Sequence, residues 1–255
     1  MPPVETPVPD EIHVLVTGFG PFENYPVNPS WQAVKALTNT VLTVPTAPKP
    51  GNEASSPAGT RQIYITTLEV PTVYDAILER MPGLHATPPV LPRPGPTSPA
   101  PAHLPHRAFD FILHVGVGRR GAFRVERRGH KYGYNRPDAE GRLAPVVPGT
   151  DGPVRGFGVG YEKMPEELLT VVDVEGVSRS LRETGVESEV SDDAGHYCCD
   201  FIYYASLAQA KRNAEEGGKM TPVQFLHCSP LNEPYSTEQV TEAIKHILTW
   251  VGSRL

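Results

Sequence analysis

Ile12-His13-Val14-Leu15-Val16 runs directly into Thr17-Gly18-Phe19-Gly20-Pro21, and Pro29-Ser30 then opens a run, 31–37, with apolar residues at helical spacing. A short apolar, β-branched segment stopped by Gly and Pro reads as a strand entering a loop, and Pro beside Ser ahead of a periodic run reads as a helix start. The same alternation continues outward. Residues 63–65 predict a strand, 72–80 a helix, 109–115 a buried strand and 123–127 an extended segment. Further on, 168–183 predicts an amphipathic helix, 186–190 a strand, 197–212 a helix and 223–227 a strand. A closing helix at 236–251 has Ser236 or Thr237 as its cap. Strand and helix in turn predict the α/β class: a three-layer α/β/α open twisted sheet, helices on both faces, its site at strand C-terminal ends.

The chain has 255 residues and a net charge of −6, enough for one sizeable core and short for two, so a single domain over 1–255 is expected. An acidic balance without a basic stripe argues against nucleic acid as a partner. No apolar run approaches the ~20 residues of a membrane span, and Met1-Pro2-Pro3-Val4-Glu5 lacks the pattern of a secretion signal. Cys198, Cys199 and Cys228 lack metal-ligand spacing and cannot all pair, which fits a reducing, cytoplasmic setting without metal or other cofactor. Proline, at 29 residues, concentrates in candidate insertions near 44–59 and 86–106. The low-complexity part at 88–105 reads as a solvated loop rather than a polyproline docking segment.

Chemistry gathers around Ala194-Gly195-His196-Tyr197-Cys198-Cys199-Asp200. A Gly entering a helical run puts Cys199 in the first turn, where unpaired N–H groups and the helix dipole favour a thiolate nucleophile. His227 ends an apolar strand, where an imidazole can take the thiol proton and return it to a leaving amine. A third group should orient that imidazole. Glu126 is a candidate, although among Arg124, Arg127 and Arg128 its local sequence reads as a structural ion pair. Phe19 and Phe22 either wall a pocket or cover the core, and Asn28 either offers its amide to a ligand or caps the helix begun by Pro29. The Gly-x-Gly at 18–20 has no third Gly at a helix start, so a dinucleotide is not expected.

Five ordered blocks, Thr17-Gly18-Phe19-Gly20-Pro21-Phe22 with Asn28-Pro29-Ser30-Trp31, Val70-Pro71-Thr72-Val73-Tyr74, His114-Val115-Gly116-Val117 with Glu126, Asp193 to Asp200, and Phe225-Leu226-His227 with Pro230-Leu231, closely resemble the pyroglutamyl-peptidase I family, cysteine peptidases of family C15. The resemblance implies a pyroglutamyl-peptidase or phosphorylase-like sheet, and removal of N-terminal pyroglutamate from peptides without a cofactor. It implies Cys199 as nucleophile, His227 as general base and acid, and Glu126 as the group orienting His227, which reverses the ion-pair reading. It further implies that Phe19, Phe22, Thr72, Tyr197 and Cys198 line the pocket and that Asn28 bonds the lactam. Gly116-Val117-Gly118-Arg119-Arg120-Gly121 and Asp200 are nearer the animal than the bacterial pattern, while Cys228-Ser229 departs from it. The alternative within this resemblance is an inactive paralogue that binds pyroglutamyl peptides.

Overall fold

The computed structural model describes residues 11–22, 25–45, 59–93, 100–149 and 151–255. Eleven strands and five helices follow one another among them. In chain order they are β1 (Glu11–Phe19), α1 (Pro29–Lys35), β2 (Val41–Pro45), β3 (Thr60–Val70), α2 (Tyr74–Leu84), β4 (Phe111–Val117), β5 (Phe123–Glu126) and β6 (Arg128–His130). Then come β7 (Val146–Gly149), β8 (Gly152–Arg155), β9 (Glu167–Leu169), α3 (Val174–Glu183), β10 (Ser188–Ser191), α4 (Cys198–Glu215), β11 (Val223–Cys228) and α5 (Thr237–Gly252).

Seven strands form one sheet in the order β10-β5-β11-β4-β1-β3-β2. The central β11, β4, β1 and β3 are parallel, whereas β5 runs antiparallel to β11 and β2 antiparallel to β3. Central strands buried on both faces read as continuous apolar runs because each must feed two cores. On β1, Leu15 joins the core beneath α2 and α4, while Val14 and Val16 join the core beneath α1 and α5. This period-two division produces the three-layer α/β/α arrangement.

α4 carries the candidate nucleophile, and aromatic rings fix it. Phe201 stacks on Phe157 at 4.1 Å and meets Tyr134 and Tyr74 edge-on at 4.9 and 4.8 Å. Such pairs each contribute about 1 kcal/mol beyond simple burial, so the first turn of α4 is held by several of them.

The expected helix at 168–183 divides in two. Leu168 and Leu169 end β9, and α3 starts only after Asp173, whose side chain accepts from Gly176 N at 2.9 Å. A capping Asp overrides apolar periodicity because it satisfies helix donors at that point. Ser236 caps α5 with a full capping box. Of the proline-rich tracts, residues 46–58 and 94–99 lie outside the described residues. The described flanks of the second tract are largely exposed, as a surface segment should be, yet they are also tied to the fold. Val90 N donates to Gly83 O at 2.8 Å, Ala102 N donates to Asn39 Oδ1 at 2.7 Å, and the His103 ring meets Tyr64 at 5.2 Å.

Candidate active site

The C-terminal ends of β1, β4 and β11 open into a cavity of about 610 Å³. Two glycines on β4 and just beyond it make room there. A Cβ on Gly116 would stand 2.9 Å from Cys199 Sγ, and one on Gly118 would stand 3.0 Å from His227 Cβ. Residues two apart on a strand share a face, so Gly116 and Gly118 together clear the floor under the thiol and the imidazole.

Cys199 is the second residue of α4. Gly195 and His196 enter the helix with φ of +91° and +44°, a left-handed turn that costs a non-glycine residue energy unless contacts hold it. His196 Nδ1 donates to Tyr132 O at 3.1 Å, and its ring fits because Gly133 lacks a Cβ, which would lie 2.8 Å from Nδ1. Tyr197 at the N-cap is extended and supplies no side-chain cap. The first-turn N–H groups of α4 therefore remain available to an anion.

His227 and Glu126 form a buried pair. His227 Nδ1 lies 2.7 Å from Glu126 Oε1, with Glu126 fully buried and His227 only 5 % exposed. A carboxylate can only accept, so Nδ1 carries the proton and Nε2 is left with a lone pair. The backbone carbonyl of Glu126 is itself pinned by Tyr203 Oη at 2.9 Å and Gln224 Nε2 at 2.7 Å. Among the described residues no arginine pairs with Glu126, which corrects the ion-pair reading of its local sequence. Arg127 instead binds Glu175 and Asp192, and Arg128 binds Glu167 and Asp192. Strand alternation turns Arg127 to the opposite face.

Burial pushes the Cys199 thiol up in pKa, and the carboxylates of Glu126 and Asp200 push the same way while Arg124 opposes them. The helix dipole works against this shift. Enclosure of the sulfur outweighs it, even though Cys199 keeps part of its surface open to the cavity. A thiol held up in this way loses its proton only as attack proceeds. Asp200 faces away from the cavity. Its carboxylate accepts from His130 N and lies 3.0 Å from His130 Nδ1 and 3.5 Å from His196 Nδ1. By spacing, these three side chains are the group among the described residues that could hold a metal ion, but their near nitrogens are engaged with Asp200 and Tyr132 O.

The remaining sequence candidates divide between wall and core. Phe19, Phe22, Asn28, Thr72 and Tyr197 all line the cavity. Phe22 lies 6.4 Å from Tyr197 ring to ring. Asn28 is also the cap of α1: its Oδ1 accepts from Ser30 N at 3.0 Å, and its Nδ2 donates to Gly20 O at 3.1 Å. The capping reading holds, and one Nδ2 proton is left without a bond to Gly20 O. Cys198 is the exception. It is 1 % exposed and belongs to the core around Tyr74 and Phe201 rather than to the cavity wall, because adjacent residues of a helix point about 100° apart. Residue-level reading missed Arg119, Arg124 and Arg136, which also line the cavity. The available signal was the position of Arg124 two residues before Glu126 on one strand.

The family model described as "Pyroglutamyl peptidase" matches residues 12–47. Mouse and human pyroglutamyl-peptidase 1 are each 28 % identical over 238 residues, covering 92 % of this chain and 87 % of theirs. The pyrrolidone-carboxylate peptidase of Thermococcus kodakarensis is 27 % identical over 231 residues, covering 90 % and 84 %. Over about nine-tenths of its length this chain is similar to pyroglutamyl peptidases. The fold agrees: pyroglutamyl peptidase I of Bacillus amyloliquefaciens superposes with a TM-score of 0.64 at 22 % identity, covering 93 % of this chain and 95 % of that one. A mutant pyrrolidone carboxyl peptidase from Pyrococcus furiosus gives 0.67 at 21 %, covering 96 % and 100 %.

Proposed function

We propose that this protein is a cysteine exopeptidase that hydrolytically removes an N-terminal pyroglutamyl residue from peptides. The observation that carries the reading is the 2.7 Å His227–Glu126 pair opening on the same cavity as Cys199, opposite a wall of Phe19, Phe22 and Tyr197. A pyroglutamyl ring is flat and uncharged, with apolar faces to lie among aromatic rings and an amide edge for Asn28. A substrate without that amide leaves the buried Asn28 proton unpaired, which supports selectivity.

Cys199 Sγ attacks the pyroglutamyl carbonyl carbon while its proton passes to His227 Nε2. Glu126 holds the imidazole in the required tautomer and stabilises the imidazolium that forms. The oxyanion lies at the uncapped N–H groups of α4, each such donor being worth roughly 10²–10³ in rate. Collapse breaks the C–N bond, and the amine leaves with the proton from His227. Water, deprotonated by His227, then cleaves the thioester, releasing pyroglutamate and the free thiol. The compartment we propose is the cytoplasm. All three cysteines are unpaired, as a reducing setting keeps them, and no helix among the described residues is long and apolar enough to cross a membrane.

Hydrolysis of an uncharged fluorogenic pyroglutamyl amide with reductant and chelator present tests this directly. The expected result is turnover that Cys199→Ala abolishes. Stoichiometric binding of the amide without turnover would establish the binding-only paralogue instead.

A further inference from the structure

Arg124 stands out among the charged groups of the cavity, because it is half-buried and has no hydrogen-bond or ion-pair partner among the described residues. An arginine withdrawn from water without a partner loses solvation that nothing returns. Its position is fixed from two sides. It lies directly across from His227 in the β5–β11 register, and its Nη2 would lie 2.9 Å from a Cβ on Gly118. Cys199 Sγ stands equally close to the corresponding point on Gly116. Same-face positions on a strand are roughly 7 Å apart, so sulfur and guanidinium both stand above one face of the sheet, over points about that far apart.

The cavity is divided along the strand order. Aromatic rings, with Arg136 lying over Tyr197 at 4.7 Å, wall it toward β1 and β3, while Arg119, Arg124, Glu189 and Asp193 wall it toward β5 and β10. With the pyroglutamyl ring at the aromatic end, the departing chain crosses Cys199 toward Arg124. One residue of chain spans roughly 3.5 Å, and a charge-assisted hydrogen bond adds about 2.8 Å. Together they reach about as far as the spacing between the two glycine positions.

We propose that Arg124, with Arg119 at the mouth of the cavity, is a specificity-determining residue that binds a carboxylate carried by the first residue beyond the scissile bond. This rests on the pyroglutamyl-peptidase reading above. The carboxylate is either the free C-terminus of a dipeptide or an acidic side chain. Glu189, opposite Arg124 in the β5–β10 register, and Asp193 are solvent-exposed acids on the same wall. Neither is ion-paired to Arg124, so they reduce the preference without occupying the guanidinium.

The test compares kcat/KM for pyroglutamyl-alanine, pyroglutamyl-alanine amide and pyroglutamyl-glutamic acid amide in the wild-type protein, Arg124→Lys and Arg124→Met. For the wild type, at least one carboxylate substrate should exceed the alanine amide by about tenfold at low salt, and the substrate that does so identifies the source. The ratio should collapse toward one in Arg124→Met and be partly kept in Arg124→Lys. Equal rates for all three substrates in the wild-type protein would overturn the proposal, whether or not the variants fold. So would a ratio that survives in Arg124→Met, or an equal loss on every substrate, which would make Arg124 a group acting on the thiol. Failure of the wild type to cleave even the alanine amide would instead overturn the peptidase reading itself.

Discussion

Two fully buried carboxylates flank Cys199, Glu126 and Asp200, and each holds histidine. Glu126 grips one imidazole at 2.7 Å on a strand whose end opens into the cavity. Asp200 is shared by His130 and His196 at 3.0 and 3.5 Å, away from the cavity. The chemistry of the two pairs is alike, but their access differs. His227 presents its second nitrogen where a substrate can reach it, whereas the His130–Asp200–His196 group spends its nitrogens on fastening the turn that delivers Cys199. Under the proposed mechanism, what separates the two pairs is where the free nitrogen lies, not the pair itself.

Neutralising each carboxylate isosterically is the sharpest way to break that contrast. Glu126→Gln should lower kcat by about 10³-fold with KM little changed, because an amide no longer fixes the tautomer or stabilises the imidazolium. Steady-state kinetics on the uncharged amide checks this, and a normal kcat would reduce the machinery to a Cys199–His227 dyad. Asp200→Asn should cost about 2 kcal/mol of stability near pH 6, seen as a lower denaturant midpoint, while kcat stays within about threefold. If kcat instead falls as far as in Glu126→Gln, the two pairs are functionally equivalent and the contrast is wrong.

The pH dependence of stability should also separate the pairs. Hydrogen bonding to Asp200 is the largest cause raising the His130 pKa, with burial opposing it. A group that binds its proton more tightly when folded stabilises fully below its unfolded value of about 6.5, and the contribution is lost as pH rises through the folded value. Wild-type protein should therefore lose more stability than Asp200→Asn as pH rises above about 6.5. His85 and His114 are pushed down to about 3 by burial. Their contribution is lost only as pH falls below about 6.5, so they leave this alkaline window untouched. Parallel pH profiles for the two proteins would remove His130 from the account.

The smallest effect concerns the thiol. Iodoacetamide should label Cys199 ahead of Cys198 and Cys228, both of which are only 1 % exposed. Asp200→Asn should quicken that labelling by about two- to threefold, since one charge opposing the thiolate is gone. Peptide mapping by mass spectrometry reads both outcomes, and preferential labelling of Cys228 would move the nucleophile assignment.

Local sequence determined the alternation of strand and helix, Cys199 in the first turn of α4, His227 at the end of β11 and a cap at Ser236 or Thr237, which the structure places at Ser236, because each depends on neighbours within a few residues. It did not reveal that 168–169 pair as strand before Asp173 caps α3, nor that the flanks of the 86–106 tract are bonded to Gly83 and Asn39. The role of Glu126 lay furthest out of reach. Its neighbours in sequence are arginines, yet alternation and the antiparallel register of β5 against β11 turn it away from Arg127 and bring it to His227, 101 residues distant. Only strand pairing set that contact. Side-chain direction in a strand is fixed by parity, whereas the partner that a buried charge meets is fixed by which strand lies beside it.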